Sequence, residues 1–389
     1  MKTISLTILL ALIFSFASSA QSIKVAKIIV DKSSKQPLED VNIYNEKDIS
    51  VSNTDGLFMF VSDKKEINFN LLGYIPIETT FERIEKQDTI FMQPKIFELK
   101  DVVVTNVDPF IKKALNKWAD NLITNYTSNF FLRNVLRNNS AIVKLQDIYG
   151  KKNKNYTQKE NTKIEILNMR KISLFEKKNR VDLFFPDFNE FFSPPVFIID
   201  KCAFKDVDYK DVDYRKILFE SKEKDSWGQI VKGYFIINRN DYAIIEYYIT
   251  MYDNPEAVPY KKILLSGTQY RTVKYSRLMH FTKSVALNKY YLSNSKLDSE
   301  VEVLADKRIE KTFYYNLAMY YFATNEPTNE IINSNFAVDK DIFKVKFPFS
   351  EKFWNNQNQL PLTNELQDFL KKVSENRDKK KEYEIIGNF

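Results

Sequence analysis

A chain of 389 residues has room for two folded units, and its single histidine and single cysteine exclude an intramolecular disulfide and any Cys/His metal cluster. Seven glycines leave no Gly-rich loop to cradle a phosphate, which argues against nucleotide-dependent catalysis. The formal charge of +7 arises from 58 Lys and Arg interleaved with 51 Asp and Glu, a pattern suited to anionic lipid or polysaccharide and not to nucleic acid.

The first predicted element is a secretion signal over residues 1–20. Lys2 supplies a positive start, Ile4 to Phe16 forms an apolar core broken only by Ser and Thr, and Ser18-Ser19-Ala20 places small residues before Gln21. The apolar run falls short of the ~20 residues that cross a bilayer, so cleavage is expected. No cysteine follows for lipid attachment, and no later run reaches spanning length. The mature chain is therefore expected in the periplasm or at the outer-membrane surface, without a transmembrane span.

Residues 23–105 read as short strands separated by turn signals. Ile23 to Val30 alternates, Ser33-Ser34-Lys35-Gln36-Pro37 turns, and Val41, Ile43 and Val51 continue an inward face. Asp55-Gly56 is a hairpin signal. Phe58 and Phe60 alternate after it, as do Ile67, Phe69 and Leu71, with further strands at Ile75 to Phe81, Asp88 to Met92 and Leu99 to Val104. The order of Val30-Asp31, Asn53-Thr54-Asp55-Gly56, Leu72-Gly73-Tyr74 and Leu99-Lys100-Asp101-Val102 resembles the carboxypeptidase regulatory-like domain of Bacteroidetes-type envelope proteins. That resemblance implies a prealbumin-type β-sandwich of seven or eight strands that folds or docks and cleaves nothing itself.

A second unit is expected over 108–376. Asp108-Pro109 has helix-start chemistry, and Phe110, Ile111, Ala114, Leu115, Trp118 and Leu122 give one apolar face, predicting a helix to about Ile123 packed on a sheet. The stretch from this helix through Phe131-Leu132-Arg133 resembles an uncharacterised region of envelope proteins. Period-two alternation then predicts strands at 141–149, 162–167, 214–221, 230–238, 242–252, 260–275, 278–292 and 308–323, with Arg239-Asn240-Asp241 as a hairpin turn. Together they predict a large twisted antiparallel sheet or half barrel. Thr363 is placed as N-cap of a last helix carrying Leu366, Phe369, Leu370 and Val373, and 377–389 reads as a charged, frayed tail. The fold class is mainly β with a minor α component.

Candidate chemistry is sparse, and the sequence designates no catalytic, cofactor-binding or metal-binding residue. His280 lies in an alternating strand and reads as an ordinary strand histidine, without the nucleophile turn of a triad. Asp206, Asp208, Asp211 and Asp213 resemble a calcium loop only in part, since Gly and a terminal Glu are missing, and a solvated turn or exposed strand is preferred. Phe235, Tyr247, Tyr248, Tyr270, Tyr275, Phe281, Tyr290, Phe313, Tyr315 and Tyr320 either fill a core or line a concave cavity, and core is the preferred reading.

The sequence thus points to a non-enzymatic exported envelope protein that binds or scaffolds a protein, glycan or lipid partner and takes no cofactor. The alternative is a periplasmic lipid or lipoprotein-type carrier with an apolar half barrel. A carboxylate-based hydrolase comes third.

Overall fold

The computed structural model describes residues 22–95, 108–156, 162–174, 191–192, 201–207, 209, 211–224, 230–251, 258–262, 268–304, 312–375 and 382–389. The expected signal and the strand at Leu99–Val104 lie outside them, as do Thr105 to Val107 of the domain boundary expected near Thr105 to Pro109. The architecture is mainly β.

Among the described residues, seven short strands build two facing sheets. They are β1 (Ile23–Asp31), β2 (Asn42–Tyr44), β3 (Ile49–Val51), β4 (Leu57–Ser62), β5 (Glu66–Asn70), β6 (Ile77–Thr80) and β7 (Thr89–Met92). One sheet runs β4-β1-β7, with β7 parallel to β1, and the other runs β3-β2-β5-β6. Ile29, Ile43, Phe58, Phe60, Ile67 and Phe69 fill the space between, each fully buried. Alternation produces this, since every second side chain of a strand meets the opposite sheet.

Two local expectations change. Asp55-Gly56 forms a tight turn, with Gly56 at φ +72° and room for no Cβ because Ile29 O would lie 2.4 Å from it. It joins β3 to β4, which belong to different sheets, so it is a corner and not a hairpin. A short helix, α1 (Phe81–Glu85), buries Phe81 and Ile84 where the sequence suggested only the end of a strand.

The second sheet has twelve strands: β8 (Asn125–Asn138), β9 (Ala141–Asn155), β10 (Thr162–Leu174), β11 (Cys202–Val207), β12 (Tyr214–Ser221), β13 (Lys232–Asn238), β14 (Ile244–Met251), β15 (Lys261–Lys262), β16 (Gln269–Lys283), β17 (Tyr290–Leu304), β18 (Thr312–Ala323) and β19 (Tyr383–Ile386). The order is β11-β12-β13-β14-β16-β17-β18-β8-β9-β10-β19, with β15 on β16 and every pair antiparallel. Among the described residues the path does not close, and β11 and β19 are its ends.

Both faces are covered. On the first lie α2 (Asp108–Asn116) and α3 (Trp118–Asn121), with Ile111 and Ala114 fully buried and Trp118 edge-on to Phe281 at 4.9 Å. The single expected helix is two, and Leu122 turns extended after them. On the opposite face lie the small sheets, α4 (Glu351–Trp354) and α5 (Asn364–Glu375), through clusters that join Val51 to Phe131, Phe322 and Trp354, and Val135 to Leu366. The expected cap of α5 is present, Thr363 Oγ1 accepting from Leu366 N at 3.4 Å.

Two boundaries move for physical reasons. The strand expected at 278–292 is interrupted by a hairpin at 284–289, whose left-handed residue is Asn288 (φ +53°) and which contains no glycine. The tail does not fray in its described part. Tyr383–Ile386 pairs with Lys171–Leu174, and the Phe389 ring stacks 4.6 Å from the Arg170 guanidinium.

Candidate functional site where the two sheets and the last helix meet

The junction starts from main-chain contacts. Ile49 N donates to Thr324 O at 2.9 Å, and Asp48 bridges Asn325, so β3 meets the end of β18. Asn358, almost fully buried, clamps β4 from the other side: its Oδ1 accepts from Val61 N at 2.7 Å and its Nδ2 donates to Val61 O at 3.0 Å. Asn53 Nδ2 donates to Pro361 O at 3.3 Å, and Asn364 N donates to Asp55 Oδ2 at 2.8 Å. The Asn53–Gly56 corner and the Leu360–Thr363 segment leading to the Thr363 cap thereby come together from residues some 300 positions apart.

Between them lies a groove of about 330 Å³. Val135, Ala318, Leu360 and Leu366 give it an apolar floor, and Glu39, Thr54, Arg137, Lys296 and Glu365 stand around it. Its charges are arranged in pairs. Arg137 donates to both Glu365 oxygens at 2.9 and 2.6 Å, Lys296 Nζ lies 2.5 Å from Glu39 Oε1, and the Tyr320 hydroxyl donates to Asp40. Burial and the neighbouring Asp40 raise the Glu39 pKa, against the pull of Lys296. Burial, then Asp40, raises that of Tyr320.

Beneath the groove, three adjacent strands place Arg133, Asp147 and Arg170 in register. Arg133 reaches both Asp147 oxygens at 2.8 Å, and Arg170 reaches Oδ2 at 3.0 and 2.7 Å. The remaining donors hold the incoming C-terminal segment: Arg133 Nη1 to Pro361 O at 2.8 Å, and Arg170 Nη2 to Gln359 Oε1 at 2.6 Å. Burial pushes the Asp147 pKa up, but the two guanidiniums outweigh it and leave it below the ordinary carboxylate value. This constellation has no local sequence signal, because its members lie on three different strands.

The residues weighed from sequence fall elsewhere. His280 sits on β16 facing Glu246 of β14, Nδ1 to Oε2 at 3.3 Å, while the Tyr234 hydroxyl donates to Glu246 Oε1 at 2.7 Å. The acidic run is not a solvated turn throughout. Asp206 pairs with Arg215, and Asp211, almost fully buried, pairs with Lys95 at 2.8 Å, tying the end of β7 to the start of β12. Asp208 lies outside the described residues. Among the described residues, no three His, Cys, Asp or Glu side chains gather around a common point.

The aromatic set divides between faces. Phe235, Tyr247, Phe281, Tyr290, Phe313 and Tyr315 belong to the buried cluster under α2, with Tyr270 and Tyr275 packed at its edge. Tyr248 and Tyr320 point the other way: Tyr248 stacks on Tyr234 at 5.3 Å, and Tyr320 joins the sandwich-side cluster. Alternation forbids one strand from sending neighbours such as Tyr247 and Tyr248 to one surface.

Sequence reasoning also passed over Lys152. It projects from β9 into the first face, fully buried, and its Nζ makes no hydrogen bond among the described residues. Rings of Tyr321, Phe192 and Tyr126 lie 4.6, 4.8 and 5.3 Å from it. Burial, aided by the nearby Lys154 charge, holds its pKa well below the ordinary lysine value.

No family model, curated protein or solved structure matches this chain. Among the described residues, no helix is long and apolar enough to cross a membrane.

Proposed function

We propose that this chain is a non-enzymatic, exported envelope protein that binds a partner segment in the groove at the junction. The groove carries the reading. Its walls come from the small sheets, the large sheet and α5 together, and it pairs an apolar floor with fixed charges of both signs. Its volume is within the ~300–1,000 Å³ of ordinary ligand sites. Such a surface suits an amphipathic peptide segment, whose apolar side chains take the floor while polar groups meet the rim. The signal-like start supports export, and the motif order supports a regulatory-like sandwich as the docking half. The packing of Phe235, Tyr247, Phe313 and Tyr315 into one core with Ile111 and Ala114 favours this reading over a lipid carrier.

The test uses protein in a Bacteroidetes-type host. Mature protein should begin near Gln21. A photocrosslinking side chain at exposed Thr54 should give one adduct of defined mass, lost in Arg137→Glu and absent at exposed Lys86. Equal adducts at both positions, or none at Thr54, would remove the groove from consideration, and a bound acyl mass in native mass spectrometry would replace it with the carrier.

A further inference from the structure

The end of the large sheet where β16 turns into β17 carries an unusual tip. Residues 284–289 join two fifteen-residue strands, and the turn is fixed by Asn288 N to Ser284 O and Ser284 N to Lys289 O, each 2.9 Å. At its apex Val285 is 92% exposed and Leu287 is 47% exposed, among the few exposed large hydrophobic side chains of the described residues. Lys283 and Lys289, both exposed, flank them. A rigid hairpin with apolar residues at its point and cations on its shoulders does not gain from water. It gains from a surface that is apolar inside and anionic outside.

The surrounding charges agree. Asp241, at the β13–β14 turn, lies 3.4 Å from Lys283 Nζ and accepts from the Tyr290 hydroxyl at 2.9 Å, fixing that turn beside the hairpin. Tyr242 in the same turn is covered by Lys113 and Lys117 of the α2–α3 segment, whose Nζ atoms lie 4.0 and 5.4 Å from its ring. Exposed Lys112 and Arg239 belong to the same two elements. The opposing acids include Asp120 of α3, exposed Asp213, whose backbone oxygen accepts from Arg239 N at 2.9 Å, Asp241, already used by Lys283 and Tyr290, and Glu326, whose carboxyl burial raises in pKa. Six exposed cations, Lys112, Lys113, Lys117, Lys283, Lys289 and Arg239, stand against these acids.

We propose that this end of the sheet docks on an anionic phospholipid bilayer, with Val285 and Leu287 entering the headgroup–acyl boundary and Lys112, Lys113, Lys289 and Arg239 meeting lipid phosphates. The surface is separate from the groove, so a soluble partner can still occupy the junction. Each cation at such a surface contributes about fivefold in affinity, and screening by salt weakens all of them.

Cosedimentation of the mature chain with phosphatidylcholine vesicles, with and without phosphatidylglycerol, tests it. Binding is expected to the mixed vesicles alone, to weaken about fivefold in Lys289→Gln, and to be lost in Val285→Asp/Leu287→Asp. The turn is exposed, so the double variant should keep its thermal midpoint. In Val285→Trp, emission should shift to the blue on adding the mixed vesicles. Binding that survives the double variant, or a tryptophan that stays in water, would reduce the contact to nonspecific charge attraction and overturn insertion. Failure to bind either vesicle would overturn the proposal entirely.

Discussion

Among the buried charged side chains of strand β9, Asp147 and Lys152 face opposite sides of the large sheet. Asp147 meets two guanidiniums in register, and those in turn grip Gln359 and Pro361. Lys152 meets three aromatic rings and, among the described residues, no acceptor. Burial is comparable at the two sites, and matching differs. At Asp147 the low-dielectric interior strengthens a completed network. At Lys152 the same interior drives the amine toward its neutral form. The face bearing Asp147 is where the chain brings its distant parts together, and the polar network is what holds them.

The largest effect should follow from breaking the matched site. Asp147→Ala leaves two buried guanidiniums facing each other, and a loss of about 3–5 kcal/mol is expected in chemical denaturation. A loss below 1 kcal/mol would mean that water already solvates the pair.

Next in size is the clamp. Asn358→Ala removes both hydrogen bonds to Val61 inside a buried interface, with an expected loss of about 1–3 kcal/mol. Calorimetry should then resolve the small sheets from the large one as two transitions. A single unchanged transition would show that β3 pairing with the end of β18 suffices.

The unmatched site should respond in the opposite sense. Lys152→Met replaces an amine without a partner by an isosteric apolar chain, so stability should be unchanged or rise by up to about 2 kcal/mol. A marked loss would show that the amine has an acceptor in solution, and the contrast with Asp147 would fail.

The smallest effects are in pH dependence, where the two groups act at opposite ends of the scale. The Asp147 folded pKa lies below its unfolded value, so its contribution is complete above about pH 3.9 and is lost as pH falls through the folded pKa. The Lys152 folded pKa is also lowered, which makes the folded state bind fewer protons. Stability should therefore climb as pH rises from that folded pKa towards about 10.4. Urea titrations of Asp147→Asn and Lys152→Met should flatten the acid and alkaline slopes respectively; identical slopes in wild type and variants would refute the assignment.

Much of the fold was readable because its signals are local. The alternating runs that became β9, β12, β13, β14 and β18, and the Thr363-capped helix, report which side chains must leave water, and that depends only on neighbours along the chain. The turn at 284–289 was unreadable because Val285 and Leu287 look like strand residues, and only the exposed tip shows otherwise. Tyr383–Ile386 looked like a charged tail because a strand on an edge needs a partner 200 residues away to complete its hydrogen bonds.

The junction was less legible still. Asp55-Gly56 stood out as turn chemistry and Thr363 as a helix cap, but nothing local could say that their segments face one another. By itself the sequence determined a mainly β chain of small strands followed by a large antiparallel sheet, since hydrophobic period and turn residues act over a few positions. Only the tertiary structure decided the strand order of the large sheet, that Arg133, Asp147 and Arg170 converge, and that Lys152 finds no acceptor among the described residues. Register between strands sets those outcomes, and register is fixed by the packing of whole faces rather than by any segment alone.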